Sequence, residues 1–290
     1  MKTAEEYVES LRKLKLNVYM FGEKVENVVD HPIIRPSMNA VAKTYEMAHR
    51  PEFEDLMTVK SHRTGEKINR FTHIHQSTDD LVKKTKMGRL LGSQTGCCFQ
   101  RCVGMDAMNA LSMTTFDIDA KLGTTYNQRF LDFLDFVQKE DLTCDGAMTD
   151  PKGDRSLAPH QQKDPDLFLR IVEERDDGIV VRGAKAHQTG AVNSHQLIVM
   201  PTISMREADK DYAVSFAVPS DAEGVTYILG RQSCDLRKLE GGNMDQGNLF
   251  FGGHEALVIF DNVFVPWERV FMCREFEFAG QLVEQFASYH

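Results

Sequence analysis

The sequence predicts an α+β fold in which a helical part precedes a β-rich part and a second helical segment follows. Three observations carry this. Apolar residues recur at helical spacing through most of 1–140, short β-branched and aromatic runs fill 141–273, and helical spacing returns over 274–290. At 290 residues the chain is long enough for about two domains and a sizeable buried core.

Each element has a local cause. Thr3-Ala-Glu-Glu6 has the form of a capping box, and Tyr7, Leu11 and Leu14 follow on one helical face. His31-Pro32-Ile33-Ile34-Arg35-Pro36 reads as a loop, because each proline lacks an amide donor and restrains the residue before it; a second helix is expected from about Ser37. Ser77 or Thr78 caps the next, with Asp79 and Asp80 set against its dipole. Gly92 and Gly96 are expected to interrupt that run, after which Cys98, Phe99, Cys102, Val103 and Met105 continue at helical spacing into Ala110 and Leu111. Phe130, Phe133, Leu134 and Val137 mark one more helix. Strands are expected at 167–172, 179–181, 197–200, 212–217, 225–229 and 256–260, with Asp177-Gly178 as a hairpin turn. They read as an antiparallel sandwich or barrel ending near Pro266. Phe278, Leu282, Phe286 and Ala287 define a helix running from about Arg274 to His290, with no Gly, Pro or polar cap to close it. This helix is expected to belong to a bundle whose remainder is missing from a truncated chain, in preference to docking back on the N-terminal helices.

Composition excludes whole classes. The chain carries 34 Lys and Arg against 43 Asp and Glu, a net charge of −9, which argues against nucleic acid as a partner. No stretch approaches the roughly 18 apolar residues of a membrane span, and the N-terminus has no signal core. Six cysteines without a signal peptide point to a reducing, cytoplasmic location.

Five candidates stand out. Cys98 and Cys102, four apart, would share one face of a helix and suit iron or zinc, although buried cysteines are also ordinary core residues. His73 and His75 have the spacing of a strand-borne metal pair. His187, Gln188 and Thr189 lie in a polar, turn-prone stretch able to reach a cofactor ring. In Gly146-Ala-Met148-Thr149-Asp150-Pro-Lys152-Gly-Asp154-Arg155, small residues let backbone amides approach a ligand while Lys152 and Arg155 meet its charge. That spacing is neither the Rossmann nor the Walker A pattern. Glu255, at the mouth of an apolar strand, has the setting of an acid or base.

Seven stretches together carry a resemblance: MFGEKVENVVDHPIIRPS, NRFTHIHQSTDDL, CCFQRCVGMDAMNAL, DGAMTDPKGDR, VVRGAKAHQTGAVNSH, FGGHEALVIFDNVFVP and FAGQLVEQFASYH. Over essentially its whole length the chain resembles the 4-hydroxybutyryl-CoA dehydratase (vinylacetyl-CoA Δ-isomerase) family, within the 4-hydroxyphenylacetate 3-hydroxylase superfamily of flavoproteins. The resemblance implies an acyl-CoA dehydrogenase-like fold, with an N-terminal helical domain (1–140), a middle β domain (141–273) and the start of a C-terminal helical domain (274–290). It implies FAD and a [4Fe-4S] cluster held by three cysteines and one histidine. Cys98, Cys102 and His290 match three of those ligands; Cys97, Cys144, Cys234 and Cys273 do not match the fourth, which the family carries shortly after the histidine.

The same resemblance assigns Met148, Thr149, Asp150, Lys152, Asp154, Arg155, His187, Gln188 and Thr189 to FAD. It places Thr189 near flavin N5, makes Glu255 an acid/base group and makes His290 a base. The implied activity is radical dehydration of 4-hydroxybutyryl-CoA to crotonyl-CoA, with isomerisation of vinylacetyl-CoA, by a cytoplasmic homotetramer. A flavin-dependent aromatic monooxygenase of the same superfamily and an inactive flavoprotein fragment are the alternatives.

Overall fold

Thr3 closes the first turn of α1 (Ala4–Arg12): its hydroxyl accepts from the Glu6 amide at 3.1 Å and the Glu6 carboxylate accepts from the Thr3 amide at 2.8 Å. The structure, a computed structural model, describes residues 1–230, 243 and 249–290; the Cys234 considered above lies outside them. After α1 come β1 (Val18–Met20), β2 (Glu23–Lys24), α2 (Arg35–Ala48), α3 (Glu54–Met57), β3 (Thr58–Lys60), β4 (Lys67–Asn69), α4 (Thr78–Thr95), α5 (Cys102–Leu122) and α6 (Tyr126–Glu140). The β-rich part follows as β5 (Cys144–Ala147), β6 (Arg170–Arg175), β7 (Gly178–Thr189), β8 (Gln196–Val199), β9 (Val214–Pro219), β10 (Val225–Leu229), β11 (Glu255–Pro266) and β12 (Val270–Cys273), and α7 (Ala279–Tyr289) completes the described chain. Among the described residues no helix is long and apolar enough to cross a membrane.

The helix between the two expected glycine breaks departs from its reading. Gly92 lies inside α4 with open space around it; only Gly96, at φ 63°, ends the helix. Residues 96–101 then form a loop in which Gln100 takes φ 57°, so α5 starts at Cys102 and Cys98 is not on a helix. The local helical spacing is overridden because the Gln100 side chain is drawn into buried hydrogen bonds with Asn193 (2.8 Å) and the His254 carbonyl (2.7 Å).

Two sheets face each other, ordered β2-β1-β10-β11-β7-β6 and β12-β9-β8-β5. Phe216 of β9 meets Phe260 of β11 edge-on at 6.1 Å across the interface. The sheets are mixed rather than purely antiparallel, since β1 runs parallel to β10 and β5 parallel to β8. β1 and β2 come from the part read as helical: Asn17 accepts from the Tyr227 amide at 2.9 Å and donates to Thr226 at 2.8 Å, which seats residues 18–24 at the edge of the large sheet. The hairpin at Asp177-Gly178 is present, Arg175 pairing with Gly178. On the helical side α5 presses onto β5 at Gly104, where an added Cβ would stand 2.1 Å from the Cys144 carbonyl.

α7 packs along α5, burying Ala279 and Leu282, and Tyr289 reaches Met113. Docking back on the N-terminal helices, the less favoured of the two expectations, is therefore present: the apolar face of α7 finds α5.

Asp145 in β5 is fully buried, and neither carboxylate oxygen has a well-aligned donor among the described residues. Burial pushes its pKa up to about 8, against an opposing pull from the Gly146 amide. The folded protein thus keeps a proton that the unfolded chain releases at an ordinary carboxylate pKa, and stability falls as pH rises between about 4 and 8. Asp145→Asn, of the same shape and always neutral, is expected to add about 5 kcal/mol at the upper end of that window and almost nothing at the lower end. A pH series of thermal melts on both proteins checks this; equal gains at every pH would refute it.

Candidate functional site

Lys185, in the middle of β7, is the hidden anchor of the site. It is 2 % exposed, as is Asp150, and its ammonium lies 2.8 Å from Asp150 Oδ1. It also donates to the carbonyls of Met148 (2.9 Å) and Met200 (2.7 Å), which accounts for all three of its protons. Burial drives the Lys185 pKa down, and the carboxylate opposes that. Asp150 further accepts from the Leu169 amide at 3.2 Å, and its own amide donates to Thr202 at 2.8 Å. The Asp150 carboxylate is committed inward. Met148 and Thr149 are half-buried, while Lys152, Asp154 and Arg155 are exposed, and the two cations make no ion pair among the described residues. Asp154 caps the Ser156 amide at 2.9 Å.

The stretch expected to be a turn at 185–190 is strand, with a bulge. Lys185 pairs with Val258 and Gln188 with Ala256, so Ala186 and His187 together oppose Leu257 alone. His187 takes φ 57°, and its side chain is thrown outward, 79 % exposed, with Nδ1 3.5 Å from Glu255 Oε2. Thr189 stands directly across from Glu255 and donates to Oε1 at 3.2 Å. Gln188 turns inward and donates to the Thr149 carbonyl at 3.0 Å, beside the Ala186 amide at 2.7 Å. The structure therefore brings His187, Thr189 and Glu255 to one rim and ties the 148–155 stretch to its back. Gly190 must be glycine here: at φ 76°, its would-be Cβ stands 3.0 Å from Gln100.

Gln100 belongs to the cysteine loop, so the rim and the cysteines are braced together. Asn193 bridges Gln100 to Ser37 at 3.0 Å and meets His254 at 3.2 Å. Cys98, exposed in the loop, lies against Gly253, whose would-be Cβ is 3.7 Å from that of Cys98. The neighbouring Cys102 thiol, together with the Gln100 amide and nearby His290, pulls the Cys98 pKa below the usual thiol range; burial and the charge of Glu255 oppose this. Cys102 is held correspondingly high. One turn further along α5, the fully buried Asp106 is 2.6 Å from Lys84 Nζ and 3.0 Å from His290 Nδ1. Lys84, Cys102, Asp106 and His290 line a cleft of about 490 Å³ between α4, α5 and α7.

His75 lies against the end of α7, its ring 5.8 Å from that of Tyr289, and His73 is next to it. The two histidine rings meet edge-on at 6.2 Å, and burial lowers the pKa of His75 to about 4. Among the described residues no three His, Cys, Asp or Glu side chains stand where they share a single metal ion. Sequence reasoning missed Lys84, Asp106, Lys185 and Asn193. Only Lys185 left a signal, as a charge at an inward position of a strand.

The sequence matches the family described as 4-hydroxyphenylacetate 3-hydroxylase N terminal over residues 3–272. It is 66 % identical over 291 residues to a Clostridium aminobutyricum protein named 4-hydroxybutyryl-CoA dehydratase/vinylacetyl-CoA-Delta-isomerase, covering 100 % of this chain and 59 % of that protein. A solved oxygen-tolerant archaeal 4-hydroxybutyryl-CoA dehydratase from N. maritimus superposes with a TM-score of 0.96 at 59 % identity, covering 100 % of this chain and 57 % of that one. The oxygenase component (HpaB) of 4-hydroxyphenylacetate 3-monooxygenase, solved in complex with FAD, superposes at 0.80 with 25 % identity over 100 % and 58 %. The chain thus spans a little under three-fifths of the length of these relatives. A mixed helix-and-sheet fold shared with the two solved structures and a family match over most of the chain lead to one assignment: this chain belongs to the 4-hydroxyphenylacetate 3-hydroxylase N-terminal family.

Proposed function

We propose that this chain is the FAD- and cluster-bearing part of a 4-hydroxybutyryl-CoA dehydratase that also isomerises vinylacetyl-CoA. The observation that carries the reading is the convergence of Cys98, Cys102 and His290 beside Glu255 and Thr189, from four separated parts of the sequence. The names and similarity of the two dehydratase relatives support it. The reading includes a cytoplasmic homo-oligomer acting on an acyl-CoA, and the division at 1–140, 141–273 and 274–290.

The donor set fits the cluster in kind. Soft thiolates suit iron, one of the two thiols ionises readily, and a cube takes its ligands one per iron, so the lack of a single-ion site does not count against it. Cys98, on a loop, is the residue able to open the thiol pair. The flavin stretch fits through the exposed Lys152 and Arg155, the outward His187 and the half-buried Met148, Thr149 and Thr189, with Gln188 holding the Thr149 backbone in place. Asp154 belongs to the same exposed stretch. Asp150 contributes through its backbone, since its carboxylate faces Lys185. Bound there, the groups would supply one-electron chemistry and a Lewis-acidic iron.

The chain's own residues handle protons. Converting 4-hydroxybutyryl-CoA to crotonyl-CoA takes one proton from C2 and one from C3, returns one to C4 and releases the hydroxyl as water. Two acid/base groups are needed on one substrate, and Glu255 and His290 are the pair at hand. Thr189 orients the Glu255 carboxylate through its hydrogen bond. Isomerisation only moves a proton from C2 to C4.

Anaerobic purification followed by flavin, iron and acid-labile sulfide analysis tests the proposal. FAD together with equal iron and sulfide is expected. FAD without iron, with turnover of 4-hydroxyphenylacetate and not of 4-hydroxybutyryl-CoA, would replace it with the monooxygenase reading.

A further inference from the structure

Asp106 is a fully buried carboxylate that the proposed chemistry does not use. It lies one turn after Cys102 on α5 and meets two partners from different helices: Lys84 Nζ of α4 at 2.6 Å and His290 Nδ1, at the end of α7, at 3.0 Å. Lys84 also donates to the Tyr289 carbonyl, so one ammonium grips both the carboxylate and the last turn of α7. The His290 ring lies parallel to Phe286, 6.0 Å between centroids and 6° between planes. An ionised carboxylate only accepts hydrogen bonds. The ring proton therefore sits on Nδ1, and the Nε2 lone pair is the one left to the cleft.

We infer that Asp106 is the positioning residue of this site: it fixes the tautomer and ring plane of His290, and Lys84 holds Asp106 and α7 in register. This rests on the reading of His290 as a cluster ligand and base. The physical need is clear. An imidazole that is 53 % exposed at a helix end would otherwise sample several rotamers and both tautomers, and only one combination would offer Nε2 to a metal in the cleft. A metal-bound histidine held through its other nitrogen by a carboxylate is a general solution to this problem, and losing the carboxylate usually weakens metal affinity 10- to 100-fold.

Two measurements on the unsubstituted protein and one on a double variant test it. In protein labelled with ¹⁵N-histidine and kept free of iron, at a pH where imidazole is neutral, long-range ¹H–¹⁵N spectra report the tautomer; the His290 signals are assigned by their loss in His290→Ala. A Nδ1-protonated ring is expected, and a Nε2-protonated ring overturns the inference whatever the cluster does. In the second measurement the protein is loaded anaerobically with iron and sulfide, reduced, and examined by pulsed electron–nuclear double resonance for nitrogen bound to iron. A nitrogen coupling that disappears in His290→Ala supports the underlying reading, and no coupling in the unsubstituted protein defeats that reading separately.

The double variant Asp106→Leu with Lys84→Met removes both partners at once and leaves no charge unpaired, which is the least disruptive way to delete the pair. Its iron is expected to pass to a chelator about 10- to 100-fold faster, with an altered nitrogen coupling. An unchanged release rate and coupling overturn the positioning role even while the His290 ligand is retained. The tautomer measurement needs no variant of Asp106 or Lys84, so it decides the inference even if the double variant fails to fold.

Discussion

Replacing His290 with Ala is expected to abolish dehydration of 4-hydroxybutyryl-CoA, a loss of at least about 10³-fold in kcat. The size follows from its two proposed duties, as the nitrogen ligand and as the base for a proton that is not acidic. His290→Cys separates them. A thiolate is a competent iron ligand, so the iron content of this variant should stay close to that of the unsubstituted protein while dehydration is still lost. Initial rates of crotonyl-CoA formation under anaerobic conditions, with iron measured in the same samples, check both. An active Ala variant would rule out the base role.

Lys185→Met is expected to destabilise the fold by about 3–5 kcal/mol. The change leaves the Asp150 carboxylate at 2 % exposure without the ammonium that stands 2.8 Å from it, and it also strips one donor each from the Met148 and Met200 carbonyls. Because those contacts anchor the 148–155 stretch, FAD retention should fall with stability. Denaturant unfolding measures the first effect, with the midpoint lowered and the slope unchanged. Adding Asp150→Asn should recover part of the loss, since the stranded charge is the larger penalty. A Lys185→Met protein as stable as the parent would mean that the pair is dispensable.

The local features were legible because their causes are local. The Thr3 box, the Ser77 cap, the Asp177-Gly178 hairpin and the amphipathic α6 each depend on residues within a few positions of one another. β10 occupies the predicted 225–229 for the same reason, a short β-branched run between turn signals. The cysteine loop was misread on equally local grounds. Helical spacing from Cys98 onward is real, but Gln100 finds buried partners at Asn193 and His254, and those bonds outweigh the preference. The short strand β1 was invisible because three residues have no meaning as a strand until Thr226 and Tyr227 are beside them.

What the sequence by itself determined is the set of chemically able residues and the succession of helices and strands, because residue type and short-range periodicity are written along the chain. Which of those residues meet was decided by the tertiary structure alone. Lys84, Asp106 and His290 lie on three helices, 22 and 184 residues apart in sequence, and no spacing rule links them. Thr189 meets Glu255 only through the register of β7 against β11, and His187 turns outward only because a bulge there reverses its backbone. Burial made the final distinction: the same amino acid, lysine, is a solvated cation at Lys152 and a structural anchor at Lys185, since a charge removed from water must bring its partner with it.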